Sequence, residues 1–258
     1  MKASFFCCTY RRPRLLEQAV SCFLAQEWDG EKEMVIVNDE PEQKIVFDHP
    51  EVIIVNLPER VPHLAGKHNI AASMCTGDLL FPTDDDDLYG PRRIINAAEG
   101  LQDGIYKTSL FYLDTDPVRL ADGSIHCCYA FTPKMLIRSG AYHETRGRSY
   151  DQRLTGMLNF YMARRGLKCR SPQKPQYLYR TQSVKAMHHS QAAKMYGQSG
   201  AMNAASSAGF EPGIVRLDPG TPFDWSSLPD IQGMKAERGV AGDRYGIESF
   251  YMGIERQG

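Results

Sequence analysis

What most constrains this chain is an alternation in its first hundred or so residues, where short apolar runs of strand length take turns with stretches of helical period. Ala3 to Cys8, Met34 to Val37, Val52 to Val55 and Asp78 to Thr83 read as strands that are apolar on both faces. Such strands need cover on both sides, which a parallel sheet flanked by helices supplies and a half-solvated antiparallel sheet does not. Behind Pro13, a residue suited to a first helical turn, Leu16, Ala19, Val20, Phe23 and Leu24 recur at helical spacing. Further helices are predicted over Lys67 to Cys75, ended by Thr76-Gly77, and from Pro91 to Gly100. The expectation is an α/β fold with a mostly parallel central sheet, in which ligands bind beyond the carboxyl ends of the strands.

The pattern changes after about residue 104. Ile105 to Leu113 and His126 to Phe131 are predicted strands, joined through Ala121-Asp122-Gly123-Ser124. A helix follows over Asp151 to Arg165, closed by Gly166, then a short strand and the segment PQYLYRTQSVKAMHHSQ. Residues 197–258 are richer in Gly, Ser, Ala and Pro and read as an irregular extension over the core. The longest apolar runs are far short of a membrane span, and MKASFFCCTY has no signal-peptide layout, so a cytoplasmic protein is expected. The 31 acidic and 30 basic residues nearly cancel, which gives no case for nucleic-acid binding by the chain as a whole. RGRSYDQR and ARRGLKCR leave room for a local basic face. Seven cysteines without a CxxC pair read as reduced, packed thiols, Cys7-Cys8 and Cys127-Cys128 among them.

Three strand ends carry polar signals: Thr9-Tyr10-Arg11-Arg12-Pro13, Asn38-Asp39-Glu40, and the run Asp84 to Asp87 in FPTDDDDLYGP. Parallel topology gathers them on one edge. Adjacent like charges repel by about 1 kcal/mol per pair at 4 Å even in water, and a cation reverses that sign. Carboxylate oxygens at this spacing suit Mg2+ or Mn2+, especially where substrate phosphates complete the shell. The alternative is a solvated acidic turn leading into a helix N-terminus, with Asp87 capping the turn before Pro91. An EF-hand is excluded, since Leu88 and Tyr89 interrupt the run and its central glycine is missing.

TYRRPRLLEQAVSCFLAQEW, MVIVNDE and GKHNIAASMCTGDLLFPTDDDDLYGP, in that order, resemble the nucleotide-sugar-binding half of a family 2 glycosyltransferase of the GT-A, Rossmann-like fold. The resemblance implies a donor half at 1–103, a smaller mixed-sheet acceptor half at 104–196 and the extension at 197–258. It implies that Thr9, Tyr10 and Arg12 line the nucleotide pocket and that Asp39 hydrogen-bonds the base, usually uracil, with Asn38 in place of the commoner first acid. Asp84, Asp85 and Asp86 fall on the DXD motif. Asp86 is the implied metal ligand, and Asp84 and Asp85 the ribose or water-mediated contacts, Asp84 doubling as a metal candidate. Lys67, His68 and Asn69 fall on the ARN motif, so His68 stands where arginine is common and Lys67 is left to face the diphosphate.

The family's general base, an Asp at the start of a helix in the second half, has no counterpart near Thr155 to Met157. Asp151 is the nearest carboxylate, with a helix N-cap as its other reading, and Glu144 is the second choice. His188, in the late segment, is implied as a third metal ligand or is one of a surface pair with His189. Tyr179 and Arg180 match the family's YR ending. Tyr106, Phe111, Tyr112 and Tyr129 line the acceptor cleft or fill the core. The implied activity is metal-dependent transfer of a sugar, with inversion, from a nucleotide diphosphate donor, UDP-linked, to the hydroxyl of a saccharide, lipid carrier, protein or modified nucleic acid. The rivals are a sugar nucleotidyltransferase, whose glycine-rich loop Arg11-Arg12-Pro13-Arg14 does not supply, and a noncatalytic nucleotide-sugar or metal-binding module, which the missing acid near Thr155 keeps open.

Overall fold

The computed structural model describes residues 1–143, 150–170, 174–180, 210 and 212–238. In chain order the elements are β1 (Ala3–Thr9), α1 (Pro13–Leu24), β2 (Lys32–Asn38), β3 (Gln43–Val46), β4 (Val52–Asn56), α2 (Leu64–Ser73), β5 (Leu79–Asp84), β6 (Leu88–Tyr89) and α3 (Arg93–Gly100). There follow β7 (Ile105–Lys107), β8 (Leu110–Leu113), β9 (Arg119–Asp122), a 3-10 turn at His126–Cys128, β10 (Tyr129–Phe131), α4 (Pro133–Arg138), α5 (Tyr150–Arg165), β11 (Tyr177–Tyr179), β12 (Gly213–Arg216) and β13 (Glu237–Arg238).

A six-stranded sheet of order β4-β2-β1-β5-β10-β7 forms the centre. Its first four strands run parallel, and β10 is antiparallel to both of its neighbours. The both-sided apolarity of the strands has the expected cause: Ala3, Phe5 and Cys7 join one core with Met34, Ile36 and Phe81, while Phe6 and Cys8 join the other with Val37 and Leu80. Cys7 and Cys8 therefore pack on opposite faces, and all the described cysteines are free thiols. Among the described residues, no helix is long and apolar enough to cross a membrane.

The second half departs from the sequence expectation. Ile105 to Leu113 is not one strand: β7 belongs to the central sheet and β8 to a second, mixed sheet of order β13-β9-β8-β11-β6. The hairpin is formed by β8 and β9, not across Ala121 to Ser124. His126 to Cys128 is a 3-10 turn rather than strand, and α4, begun by Pro133 with Thr132 as its side-chain cap, was not expected. Nor was β3, which pairs in parallel with β12 from the chain's last third.

Two features position the edge where the site lies. Arg11 takes a left-handed backbone (φ 58°), a conformation that costs a non-glycine residue on the order of 1 kcal/mol, and it turns the chain sharply between β1 and α1. On the other side, β5 and β10 pair at Leu80 and Phe131. Two residues on, Pro82 has no N–H to extend a ladder. The buried guanidinium of Arg93 fills that gap, donating from Nη2 to the carbonyls of Pro82 (2.7 Å) and Cys127 (2.9 Å). It also lies against the stacked rings of Phe5 and Phe81 and over Tyr89, 4.4 Å from that ring's centroid.

Arg93→Ala leaves both carbonyls without this donor inside a dry core, and we expect a loss of about 2–4 kcal/mol in urea unfolding. A loss below about 0.5 kcal/mol would show that the guanidinium does not hold this junction together.

Candidate functional site

Strand register builds the site. Thr9 lies beside Asn38, and Cys8 beside Asp84, so β1, β2 and β5 end together and present Asp39 and the Asp84 to Asp87 run along one edge. The run is not a solvated turn. Asp85 and Asp87 are fully buried and Asp86 nearly so, while the Asp84 side chain keeps 25% of its exposure.

Asp84 closes β5 and Asp85 to Asp87 turn away from it, so the four carboxylates meet partners from different parts of the chain. Asp84 meets His126 Nε2 at 3.0 and 3.2 Å, the Cys127 thiol at 3.4 Å and His68 Nε2 at 3.9 Å. Arg12 spans the next two, with Nη2 2.5 Å from Asp85 and Nη1 2.7 Å from Asp86. Asp87 accepts from the Tyr177 hydroxyl at 2.6 Å and the Arg180 amide at 2.9 Å, so it ties the second half of the chain to the first instead of capping the turn before Pro91. Arg180 also donates from Nε to the Asp86 carbonyl (2.6 Å) and from Nη1 to Gln18.

The charges shift accordingly. Burial raises the Asp84 carboxyl, but His126, followed by His68, outweighs burial and holds it below the ordinary carboxylate range. Asp85 is pushed up to about 6 by burial with Asp86 adding to it, against the pull of Arg12. Burial, then Asp86 and Asp84, push Asp87 well up. Burial lowers His68 to about 3, assisted by His126, and so keeps it neutral; His126 is raised because Asp84 overcomes its burial.

Asp39 forms a second polar centre. It is buried, paired with Lys67 Nζ at 2.6 Å and Arg60 Nη1 at 2.7 Å, and accepts from the Val61 amide at 3.2 Å. Lys67 also donates to the Thr9 carbonyl (2.7 Å), so its ammonium sits with Asp39 rather than among the run of four. The Arg60 guanidinium lies 3.4 Å from the Tyr10 ring centroid, which stacks the two at the mouth of this centre. Asn69 exchanges hydrogen bonds with the main chain of Tyr142 (2.9 and 3.0 Å), leaving its amide no part in the carboxylate network.

Asp151 is half-buried in the first turn of α5 and lies near enough to His126 and Tyr142 for its charge to push both upward, though burial and Asp84 act on them more strongly. Glu144 and His188 lie outside the described residues. Tyr106, Phe111, Tyr112 and Tyr129 are buried and fill the core. Residues not singled out from sequence are His126, Tyr142, Arg60 and Tyr177. Only Arg60, in the polar LPERVP segment after a strand end, carried a usable signal. His126 lies in an apolar stretch whose residues suit a strand, which gives it no polar signal.

The model of the family described as glycosyl transferase family 2 matches residues 4–156. Among solved structures, S. aureus TarS is similar with a TM-score of 0.51 and 13% identity, over 80% of this chain and 69% of that one. The mannosyltransferase PcManGT from Pyrobaculum calidifontis, determined with GDP-Man and Mn2+, is similar with a TM-score of 0.50 and 16% identity, over 81% of this chain and 65% of that one. At these identities the likeness is one of fold, and it is the GT-A fold. This chain spans about two thirds of the length of each. No curated protein sequence matches it.

Asp85 yields a pH prediction with a definite sign. Its carboxyl holds a proton up to about 6 when folded and only to about 3.9 when unfolded, so its contribution to stability is full below pH 4 and lost as pH rises through 6. Asp85→Asn removes that loss while leaving Arg12 its contact with Asp86. We expect the variant, stripped with EDTA, to exceed the wild type by about 1–3 kcal/mol in urea unfolding at pH 7.5 and to match it near pH 4. A less stable variant at pH 7.5 would refute the buried-charge cost.

Proposed function

This chain belongs to glycosyl transferase family 2, and we propose that it moves a sugar from a nucleotide diphosphate donor, UDP-linked, to an acceptor hydroxyl with inversion and with help from a divalent metal. The observation that carries this reading is the convergence of Thr9, Asp39 and the Asp84 to Asp87 run at the carboxyl ends of adjacent parallel strands. That edge is where nucleotide ligands of open α/β sheets bind. The similarity to PcManGT, whose structure holds a nucleotide sugar and Mn2+, lends support.

Asp84, Asp86 and Asp87 offer oxygen atoms within 4.8 Å of one another, a hard donor set that fits Mn2+ or Mg2+. A bound ion of this class neutralises the diphosphate as the leaving group departs. The protein's own part begins with the base. Asp39 has the acceptor oxygens to take a ring N–H of uracil, and Tyr10 with the stacked Arg60 gives a planar surface beside it. Arg12 holds Asp85 and Asp86 in a fixed orientation and brings positive charge to the side from which phosphates enter. On the acceptor side Asp151, half-buried at the start of α5, takes the proton of the attacking hydroxyl. Residues 1–103 are then the donor half and 104–196 the acceptor half.

Two variants test the assignment. Asp86→Ala is expected to abolish manganese-dependent UDP binding measured by calorimetry, and unchanged affinity would reject the metal role. Asp151→Asn is expected to keep UDP affinity while lowering turnover, followed as UDP release from a panel of UDP-sugars, by roughly 10²–10⁴-fold. Wild-type turnover in that variant would remove Asp151 as the base.

A further inference from the structure

We propose a second divalent-cation site, selective for zinc-like ions, formed by His68 Nε2, His126 Nε2 and a carboxylate oxygen of Asp84. The three ligands come from three elements: α2, the 3-10 turn before β10, and the end of β5. Their donor atoms lie within 4.8 Å of one another. His126 Nε2 is 3.0 and 3.2 Å from the two Asp84 oxygens, and His68 Nε2 is 3.9 Å from the nearer one. Ligand atoms around a tetrahedral zinc with bonds of about 2.0–2.1 Å stand roughly 3.3 Å apart. The His68–Asp84 separation exceeds that spacing by about half an ångström, and the His126–Asp84 separations fall slightly below it.

Both rings are aimed by their other nitrogen. His68 Nδ1 lies 3.0 Å from the Leu64 carbonyl, which can only accept, so the proton sits on Nδ1 and Nε2 turns a lone pair toward Asp84. His126 Nδ1 lies 3.0 Å from the Tyr142 hydroxyl, which can accept as well as donate, so this ring can also carry its proton on Nδ1 and release Nε2. The main chain of Tyr142 is in turn held by Asn69, which donates to its carbonyl and accepts from its amide. A ligating histidine whose far nitrogen is fixed by a backbone carbonyl, as in His68, is a usual support of a zinc centre, and the Tyr142 hydroxyl can accept in the same way from His126.

An ion pair between His126 and Asp84 explains two members of the group. It does not explain why a second buried imidazole, its centroid 5.4 Å from the first, is braced with its Nε2 toward the same carboxylate. Two imidazoles and one carboxylate favour zinc, whereas the all-oxygen set of Asp84, Asp86 and Asp87 favours magnesium or manganese. Because Asp84 is in both sets, an ion on the histidines fixes its orientation. The partial exposure of Asp84 provides the way in. The zinc site does not depend on the transfer reaction being correctly assigned.

The test is a Zn2+ titration of the EDTA-stripped full chain by calorimetry, with Co2+ as a spectroscopic probe. The expected result is about one equivalent bound at micromolar affinity or tighter, a Co2+ visible band of the intensity given by four- or five-coordinate sites, and a loss of roughly 100-fold or more in His68→Gln and in His126→Gln. Asp86→Asn is expected to retain Zn2+ affinity, which separates this site from the donor metal. Undiminished Zn2+ binding in both histidine variants, loss in Asp86→Asn alone, or no binding by the wild type would each overturn the proposal. If a histidine variant does not fold, zinc-edge X-ray absorption of the wild type decides: two imidazole ligands support the site, and fewer overturn it.

Discussion

Four adjacent carboxylates inside a folded protein set the terms for everything around them. A buried anion is tolerated only with a partner, and one guanidinium reaches two of the four, as Arg12 does with Asp85 and Asp86. The run therefore recruits partners from separate parts of the chain: His126 from the turn before β10, Arg12 from the start of α1, Tyr177 from β11 and Arg180 just beyond it. The contacts of Tyr177 and Arg180 with Asp87 join the mixed sheet to the central one at the carboxyl ends of its parallel strands. A cluster that reads as a local electrostatic problem acts as the fastening between the two halves.

The same distribution gives the carboxylates different chemical characters. Asp84 is kept charged by the histidine beside it, while Asp85 and Asp87 are pushed toward the protonated form by burial and by their neighbours. Asp84 at one end of the run is charged and partly open to solvent, while Asp87 at the other is buried and bonded to Tyr177 and Arg180. Asp39, paired with Lys67 and Arg60, is a separate buried anion one strand away, and the stacked Tyr10 and Arg60 border it. The edge offers a negative cluster and a mixed-charge pocket side by side, which suits a ligand with a base at one end and phosphates at the other.

How much of this was legible depended on how local the cause was. β1, β2, β4 and β5 could be read because both faces of each are apolar, and that pattern has few other solutions. α4 had a readable start, Thr132-Pro133, but its short span gave no periodicity to support it. β3 is four residues with alternating burial, too brief to stand out, and it pairs with a strand some 170 residues away. The break between β7 and β8 falls inside IYKTSLFYL, whose residues suit strand throughout; which sheet each half joins is decided by pairing, not by propensity.

By itself the sequence determined the parallel sheet, the gathering of Thr9, Asp39 and Asp84 to Asp87 at one edge, and the resemblance that linked that edge to nucleotide sugars, because apolar period and strand order are written along the chain. Only the tertiary structure decided who neutralises whom. Lys67 goes to Asp39, Arg12 to Asp85 and Asp86, Tyr177 to Asp87, and His68 with His126 to Asp84. The reason is physical: a charge is paired by distance through space, and these partners lie between 28 and 90 residues apart, bar His68, on elements whose positions are set by core packing.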